Sequence, residues 1–309
     1  MLLDEIDLKI LEELENNARL PVQQIARNVG MKRTTTGYRL NKLLSNGILK
    51  FACIANVEVV EYQIPLGIGI NVSPGKITSV AEQLVHLSEV KVLSLVAGRY
   101  VIFAWCLLKD RSDLNRFLQE GLGRVEDIIS IETVFAYTWL RDSWRYFTSP
   151  SESPTEPPRT RLTDLDLSLI RALQEDPRQN VTSLAGSSGC STPVAKERLN
   201  ALLENRTIQI VSIIDPSALG YHIEAMILVK TPPSQAYVIA NQLSTCKFVR
   251  HVSLTTGHWQ IFVSAQFRDA EHLHEFLTET LVVDTGVMEF KVLEAMKTLK
   301  FSMMLVNMV

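Results

Sequence analysis

Apolar residues near the start of the chain recur at the spacing of one helix face, at Leu3, Ile6, Ile10, Leu11 and Leu14. The same reasoning predicts a short second helix that begins after Pro21 and a third helix from about Arg33 to Leu44. Gly30 suits the turn between them, and an extended segment follows over 48–55. Two helices joined by a tight turn with glycine are typical of a helix-turn-helix, although a three-helix packing module without a ligand has the same pattern.

Beyond this segment the pattern changes to short apolar runs that alternate with two amphipathic helices. It predicts strands over 65–72, 90–96, 100–108 and 127–140, and helices over 77–87 and 114–122. The resulting order, βαββαβ, is that of the ferredoxin-like plait, whose free sheet face commonly pairs with a partner sheet. The predicted fold class is therefore α+β, with a three-helix (winged) helix-turn-helix domain followed by a plait domain.

The whole pattern occurs twice, at a constant offset of 159 residues. The offset relates Gly30 to Gly189 and the start of the first helix to Thr163 and Asp166, whose spacing resembles a capping box. Between the copies lies the stretch TSPSESPTEPPRTR, which cannot build a core and predicts a semi-extended spacer. In chain order we expect a helix-turn-helix domain (1–55), a plait (56–147), a linker (148–161), a second helix-turn-helix domain (162–213) and a second plait (214–309).

The composition is that of a globular chain, with 46% hydrophobic and 21% charged residues and a formal net charge of −3. A nucleic-acid site must therefore be a local basic patch on a mildly acidic body. The acidic start of the chain lacks the features of a signal peptide, and no apolar run reaches the roughly 18 residues that cross a bilayer. The four cysteines form no C-x-x-C pair. We expect a cytoplasmic protein without a membrane segment, metal site or cofactor.

The third helix of copy one is strongly basic, because five lysines or arginines and no acidic residue lie between Gly30 and Lys50. A basic helix with short hydroxyl side chains near its start suits the major groove of DNA, where cations hold phosphates and hydroxyls reach base edges. A solvated basic face is the alternative. We predict phosphate contacts from Lys32, Arg33, Arg39 and Lys42, and base-edge or sugar contacts from Thr34, Thr35, Thr36 and Tyr38.

The matching helix of copy two is nearly neutral, because residues 189–208 contain three basic and two acidic residues. Fewer phosphates can be neutralised there, so less counterion release is available and we expect weaker DNA binding. The matching candidate contacts are Ser191, Thr192, Lys196 and Arg198.

Each copy resembles, nearly end to end, the Lrp/AsnC family of transcription regulators. The resemblance rests on LDEIDLKILEELENNARLPVQQIARNVGMKRTTTGYRLNKLLSNGIL and LTDLDLSLIRALQEDPRQNVTSLAGSSGCSTPVAKERLNALLENRTI, and is reinforced by VAGRYVIFAWCLL and FLQEGLGRVEDIISIETVFAYTWL. It implies double-stranded promoter DNA as the partner and a plait domain that commonly senses amino acids. It also implies assembly through the plait sheets, either between chains as a homo-oligomer or within this chain as a pseudo-dimer.

The turn between the two middle plait strands departs from the family pattern, which typically reads Gly-Asp-(Tyr/Phe)-Asp. Here it reads GRYV and GHWQ, without the carboxylates that would meet an amino group. An amino-acid effector is therefore in doubt, and the cationic side chains favour an acidic or aromatic ligand, or none. The candidate effector contacts are Gly98, Arg99, Tyr100, Gly257, His258 and Trp259.

Two other functions are compatible with this fold class. Siroheme decarboxylase subunits resemble the same family and also come as paired or fused units, so an enzyme of that type is one alternative. A protein-interaction scaffold that has lost DNA binding is the other, because the second helix-turn-helix is nearly neutral. The residues favour a sequence-specific DNA-binding regulator over both, and hence a protein that is not an enzyme.

Overall fold

A computed structural model describes residues 2–56, 64–143, 145–147, 162–282 and 286–302. The predicted linker, 148–161, lies outside the described residues. The described chain divides into two compact units, and each contains matching parts of both copies. One unit holds the two helix-turn-helix domains, which we call head 1 (2–56) and head 2 (162–220), and the other holds the two plaits.

The predicted elements are present in the predicted order in both copies. Copy one contains α1 (Glu5–Asn16), α2 (Val22–Asn28), α3 (Arg33–Ser45), β1 (Leu49–Ala55), β2 (Ile64–Val72), α4 (Ile77–Val85), β3 (Val90–Ala97), β4 (Ile102–Leu108), α5 (Arg111–Arg116) and β5 (Ile128–Asp142). Copy two contains α6 (Asp164–Glu175), α7 (Val181–Ser187), α8 (Thr192–Glu204), β6 (Ile208–Ile214), β7 (Ile223–Lys230), α9 (Pro233–Ser244), β8 (Val249–Thr256), β9 (Ile261–Phe267), α10 (Ala270–Glu275) and β10 (Glu289–Phe301). A π-helical turn continues α5 over Phe117–Gly121 and α10 over Phe276–Leu281.

Local chemistry explains where the helices of the heads begin and turn. Thr163 and Asp166 form the predicted capping box at the start of α6, in which each side chain accepts a hydrogen bond from the other residue's backbone. Asp4 and Asp7 form the same arrangement at α1. Gly30 follows α2 with a φ of 69°, a left-handed conformation that glycine adopts without a steric penalty.

The extended segment after the third helix of each head is not the edge of a local wing. Strand β1 pairs antiparallel with β6 of the other copy, which corrects the expectation of a winged domain. Ala52 stands opposite Val211 in this ribbon, and these two residues are 159 apart in the sequence. The heads are therefore related by a pseudo-twofold axis through this pair. Ile214 at the end of β6 joins the hydrophobic core of head 1, so the ribbon also links the two cores.

The two plaits pair within the chain and their eight strands form one closed ring, in the order β10-β3-β4-β2-β5-β8-β9-β7. The last strand of each plait pairs on one side with its own sheet and on the other side with the sheet of the other copy. Phe103 and Phe262, again 159 apart, stack between the sheets with ring centroids 5.5 Å apart. Of the two pairing modes that the sequence leaves open, this structure has the intrachain pseudo-dimer.

Candidate DNA-binding surface and effector turns

Helix α3 presents a basic outer face. Lys32 lies just before its first residue, and the side chains of Lys32, Arg33, Thr34 and Lys42 are exposed. Tyr38 lies on the same face and is 70% exposed. Thr35 is half-buried at the edge of the same face. These side chains form one continuous surface because the inner face of α3 packs through Leu40 and Leu43 on α1 and α2.

Thr36 does not belong to this surface. Its side chain is fully buried, and its hydroxyl donates a hydrogen bond to the Lys32 carbonyl oxygen, 3.2 Å away. A buried hydroxyl bonded within its own helix cannot reach a base edge. The prediction of Thr36 as a DNA contact is therefore wrong; it lies on the inner face.

Arg39 is held by two carboxylates of its own head. Its guanidinium donates to Asp4 at 2.7 Å and to Asp7 at 2.8 Å, and its side chain is only 26% exposed. The pKa of Arg39 is raised by these hydrogen bonds, so the charge is retained but neutralised locally. Arg39 therefore holds α3 against the start of α1, and the predicted phosphate contact from it is not supported.

Head 2 repeats the arrangement with fewer cations. Ser191, Thr192 and Lys196 are exposed on α8, as the sequence predicts for contacts. Arg198 instead donates two hydrogen bonds, at 2.9 and 2.6 Å, to the fully buried Asp166. Burial alone would raise the pKa of Asp166, but the hydrogen bonds from Arg198 and Thr163 lower it overall. The prediction of Arg198 as a phosphate contact is not supported for the same reason as that of Arg39.

Two arginines that sequence reasoning did not select hold the heads together. Arg19 donates to the carbonyl oxygens of Pro177 and Gln179 in head 2, at 3.0 and 2.8 Å. Arg178, its counterpart at the offset of 159, donates to the carbonyl oxygen of Leu20 in head 1 at 2.8 Å. Burial lowers the pKa of both arginines. The offset of 159 residues is the sequence signal that marks these two arginines, because they are identical in a repeat that differs at many other exposed positions.

The first effector turn is closed by contacts within the paired plaits. The Arg99 guanidinium forms an ion pair with Glu132 at 2.8 Å and also donates to the Tyr100 hydroxyl at 3.1 Å. Tyr100 is 4% exposed, and burial raises its pKa to about 12. Gly98 has a φ of 137°, and a Cβ atom there would lie 2.5 Å from the Val292 carbonyl oxygen, so only glycine fits.

The second effector turn reaches the same carboxylate from the other copy. Trp259 is fully buried, and its indole nitrogen donates to Glu132 at 2.9 Å. Burial would raise the pKa of Glu132, but hydrogen bonds from Tyr100, Arg99 and Trp259 lower it overall. His258 remains exposed, with its Nε2 atom 3.6 Å from Glu289. The side chains of Tyr100 and Trp259 are closed to an effector in this structure, which corrects the prediction for these two residues.

Glu132 is the residue at the centre of this region that the sequence does not reveal. It lies in the middle of β5, between exposed residues, and no local motif marks it. It supplies the carboxylate that the turns themselves lack, but the carboxylate is already bonded to both copies. We call Arg99, Tyr100, Glu132 and Trp259 the inter-copy clasp.

The described residues contain neither a metal-binding cluster nor a helix suited to a membrane. No group of three or more His, Cys, Asp or Glu side chains there is placed to share a metal ion. None of the helices in that part of the chain combines the length and apolar character that crossing a bilayer requires.

Models of two known domains match most of the chain. The AsnC-type helix-turn-helix domain matches residues 3–44 and 162–203, and the Lrp/AsnC ligand binding domain matches residues 67–143 and 224–305. An uncharacterized HTH-type transcriptional regulator of Pyrococcus furiosus is 39% identical over 133 residues, which are 43% of this chain and 90% of the relative. An HTH-type transcriptional regulator of Methanocaldococcus jannaschii is 32% identical over 122 residues, 39% of this chain and 82% of the relative.

A solved structure that spans both copies is the siroheme decarboxylase NirDL in complex with an iron-uroporphyrin III analogue. It has a TM-score of 0.69 and 16% identity, and the likeness covers 96% of this chain and 93% of that one. At this identity the likeness shows that the fold is shared, and nothing about chemistry.

Paired helix-turn-helix domains together with paired plaits define a DNA-binding transcription regulator. The chain belongs to the Lrp/AsnC family of these regulators. It carries the family's two-domain unit twice, whereas each of the two relatives above aligns with less than half of it.

Proposed function

We propose that α3 is the main DNA-recognition helix and that it enters the major groove with Lys32, Arg33 and Lys42 on phosphates. The observation that supports this proposal most directly is that these three cations are exposed and that no acidic residue occurs between residues 30 and 50. Thr34, Thr35 and Tyr38 lie on the same face and contact base edges or sugars. We name α3 and α8 the recognition helices of the two heads.

In head 2 the proposed contacts are Ser191, Thr192 and Lys196. Glu197 and Glu204 are exposed on the same helix and repel phosphates, so this head contributes less counterion release than head 1. Both heads together bind one duplex, because the ribbon of β1 and β6 holds them as one unit.

The test is recovery of sheared genomic DNA by the full-length protein at several salt concentrations, followed by affinity measurements on the enriched sites. The variant Lys32→Ala, Arg33→Ala, Lys42→Ala should lose enrichment. Each lost phosphate contact should reduce the slope of log Kobs against log salt by about 0.9. A matched control, Lys109→Ala, Arg111→Ala, Lys247→Ala, removes the same charge from exposed plait positions and should bind as the wild type does. Equal losses in both variants would contradict a recognition role for α3.

The effector contacts that remain open are Gly98, Arg99, Gly257 and His258, which lie at exposed turns. The proposed ligand is an anionic or aromatic small molecule, because the side chain of Arg99 is 45% exposed even though it is paired with Glu132. Isothermal titration with amino acids and with aromatic carboxylates tests this class. Binding of an amino acid that survives Arg99→Ala would contradict it.

We propose a binding role rather than a catalytic one, and a cytoplasmic location, where a regulator of this family meets DNA. The relatives named as transcriptional regulators support this view. A titration with an iron porphyrin is the discriminating measurement. A shifted Soret band at stoichiometric protein would favour the decarboxylase alternative and overturn the proposal.

A further inference from the structure

The two heads form a pseudo-symmetric pair. Ala52 and Val211 lie opposite each other on the axis of the antiparallel ribbon, and Arg19 and Arg178 make reciprocal contacts across it. Two heads related in this way present their recognition helices to half-sites in inverted orientation. If the two recognition helices were identical, they would therefore prefer a palindromic DNA site.

The buried faces of the two recognition helices are closely alike. Leu40 and Leu43 of α3 match Leu199 and Leu202 of α8, and all four are buried. The ion pairs that orient the helices are also matched, from Arg39 to Asp7 and from Arg198 to Asp166. Both helices are consequently held in the same way in their heads.

The outer faces are unlike at six matched positions. The pairs are Lys32 and Ser191, Arg33 and Thr192, Thr34 and Pro193, Thr35 and Val194, Tyr38 and Glu197, and Lys42 and Ala201. The first member of each pair belongs to the basic face of α3, and three of these members are cations. The second members include no cation and one carboxylate; the exposed cation of α8, Lys196, matches Gly37 of α3.

The outer face of α8 has chemistry of its own for reading bases. Val194 is 40% exposed, and a valine methyl group at the groove floor makes apolar contact with the thymine methyl group. The exposed carboxylate of Glu197 can accept a hydrogen bond from the amino group of cytosine. Tyr38 of α3 has no carboxylate to match that of Glu197, and Thr35 carries a hydroxyl group in addition to a methyl group, so the two faces differ in the donors and acceptors that they present.

We infer that the chain recognises a non-palindromic duplex, in which α3 binds one half-site mainly through cations and α8 reads a different half-site through Thr192, Val194 and Glu197. This inference rests on the proposed function, because it specifies the kind of DNA that the heads bind. Binding to the half-site under α3 accounts for most of the salt dependence of the affinity. Binding to the half-site under α8 contributes sequence discrimination and little electrostatic affinity.

The test is selection by the full-length protein from a random-sequence duplex library, with sequencing of the enriched pool. The expected motif has two half-sites about one helical turn apart that are not inverted repeats of each other. A variant that gives α8 the outer face of α3 (S191K, T192R, P193T, V194T, E197Y, A201K) should select an inverted repeat of the α3 half-site. Its salt slope should steepen by about 0.9 for each added phosphate contact.

A single substitution at an exposed residue tests the inference even if the six-residue variant does not fold. Val194→Ser should relax selection in one half-site by roughly tenfold at one base pair and leave the other half-site unchanged. A palindromic motif from the wild type, or unchanged half-sites in both variants, would overturn the inference and leave the regulator function intact. Failure of the folded wild-type protein to enrich any sequence at low salt would instead count against the proposed function itself.

Discussion

Arg39 and Arg198 tie each recognition helix to the first helix of its own head. Asp166 is fully buried, so its charge depends on the two hydrogen bonds from Arg198. The same carboxylate also completes the capping box of α6. One ion pair in each head therefore fixes both the start of a helix and the angle at which the recognition helix is presented.

We expect Arg198→Ala to lower the free energy of unfolding by about 2 kcal/mol, because it leaves a buried carboxylate without its charged partner. Since the folded-state pKa of Asp166 is lowered, its stabilising contribution is present above its ordinary pKa of about 3.9 and is lost as the pH falls below it. Denaturant unfolding at pH 7 and pH 3 should show a smaller difference in stability between wild type and variant at pH 3. A constant difference would contradict this role of the ion pair.

Lys91 provides a second test at the residue scale. It is 3% exposed, and burial, with the nearby charge of Lys300, lowers its pKa to about 8. In the unfolded chain the pKa of a lysine is about 10.4, so between these two values the unfolded state binds more protons and stability rises with pH. The stability of the wild type relative to Lys91→Met should therefore increase from pH 8 to pH 10.5. A difference that stays constant over this range would contradict the buried, charged state of Lys91.

At the scale of elements, the first helix of each plait, α4 and α9, ends on a cation supplied by the other copy. Lys300 of β10 donates at 2.8 Å to the carbonyl oxygens of Val85 and Leu87 at the end of α4. Arg141 of β5 donates to the carbonyl oxygens of Ser244 and Cys246 at the end of α9. Cations near a helix C-terminus satisfy its free carbonyl groups and interact favourably with its dipole. These contacts couple the ends of helices to the pairing of the plaits.

Lys300→Met should loosen the end of α4 without dissolving the sheet. We expect faster amide hydrogen exchange over 83–88, by roughly five- to tenfold if the local contacts are worth about 1 kcal/mol. Lys297→Met removes an exposed lysine from the same strand and serves as the control. If exchange over 83–88 changes equally in both variants, Lys300 does not cap α4.

The order of elements could be predicted from the sequence because periodicity and glycine positions are local signals. The limits of α3 and the capping box of Thr163 and Asp166 agree with their predictions. The pairing of β1 with β6 could not be predicted, because an apolar strand pattern does not specify which strand lies beside it. Glu132 was missed for a related reason, since its partners Arg99 and Trp259 come together only when the two copies pair. Thr36 was misassigned because residue type alone does not tell the inner face of a helix from the outer face.

At the scale of the whole molecule, each compact unit is built from both copies. The ring of strands is closed by the pairing of β3 with β10 and of β5 with β8, which are contacts between copies but within one chain. Binding between separate chains makes stability depend on protein concentration, whereas closure within a chain does not.

We therefore expect the midpoint of thermal unfolding to be unchanged over a hundredfold range of protein concentration. Glu132→Gln, which weakens the inter-copy clasp, should lower this midpoint by a few degrees while leaving it independent of concentration. A midpoint that rises with concentration would show that pairing between chains contributes to the folded state.

The continuous chain through both heads also changes how gene control would respond to the amount of protein. A regulator that must first associate from two subunits loses its active form steeply when it is scarce, since the dimer population falls with the square of the subunit concentration. Here the ribbon of β1 and β6 joins two recognition helices that are already covalently connected. Occupancy of a target by such a chain rises in simple proportion to copy number at low levels. Regulation by this chain therefore has no threshold concentration for assembly, and it remains effective at a low copy number.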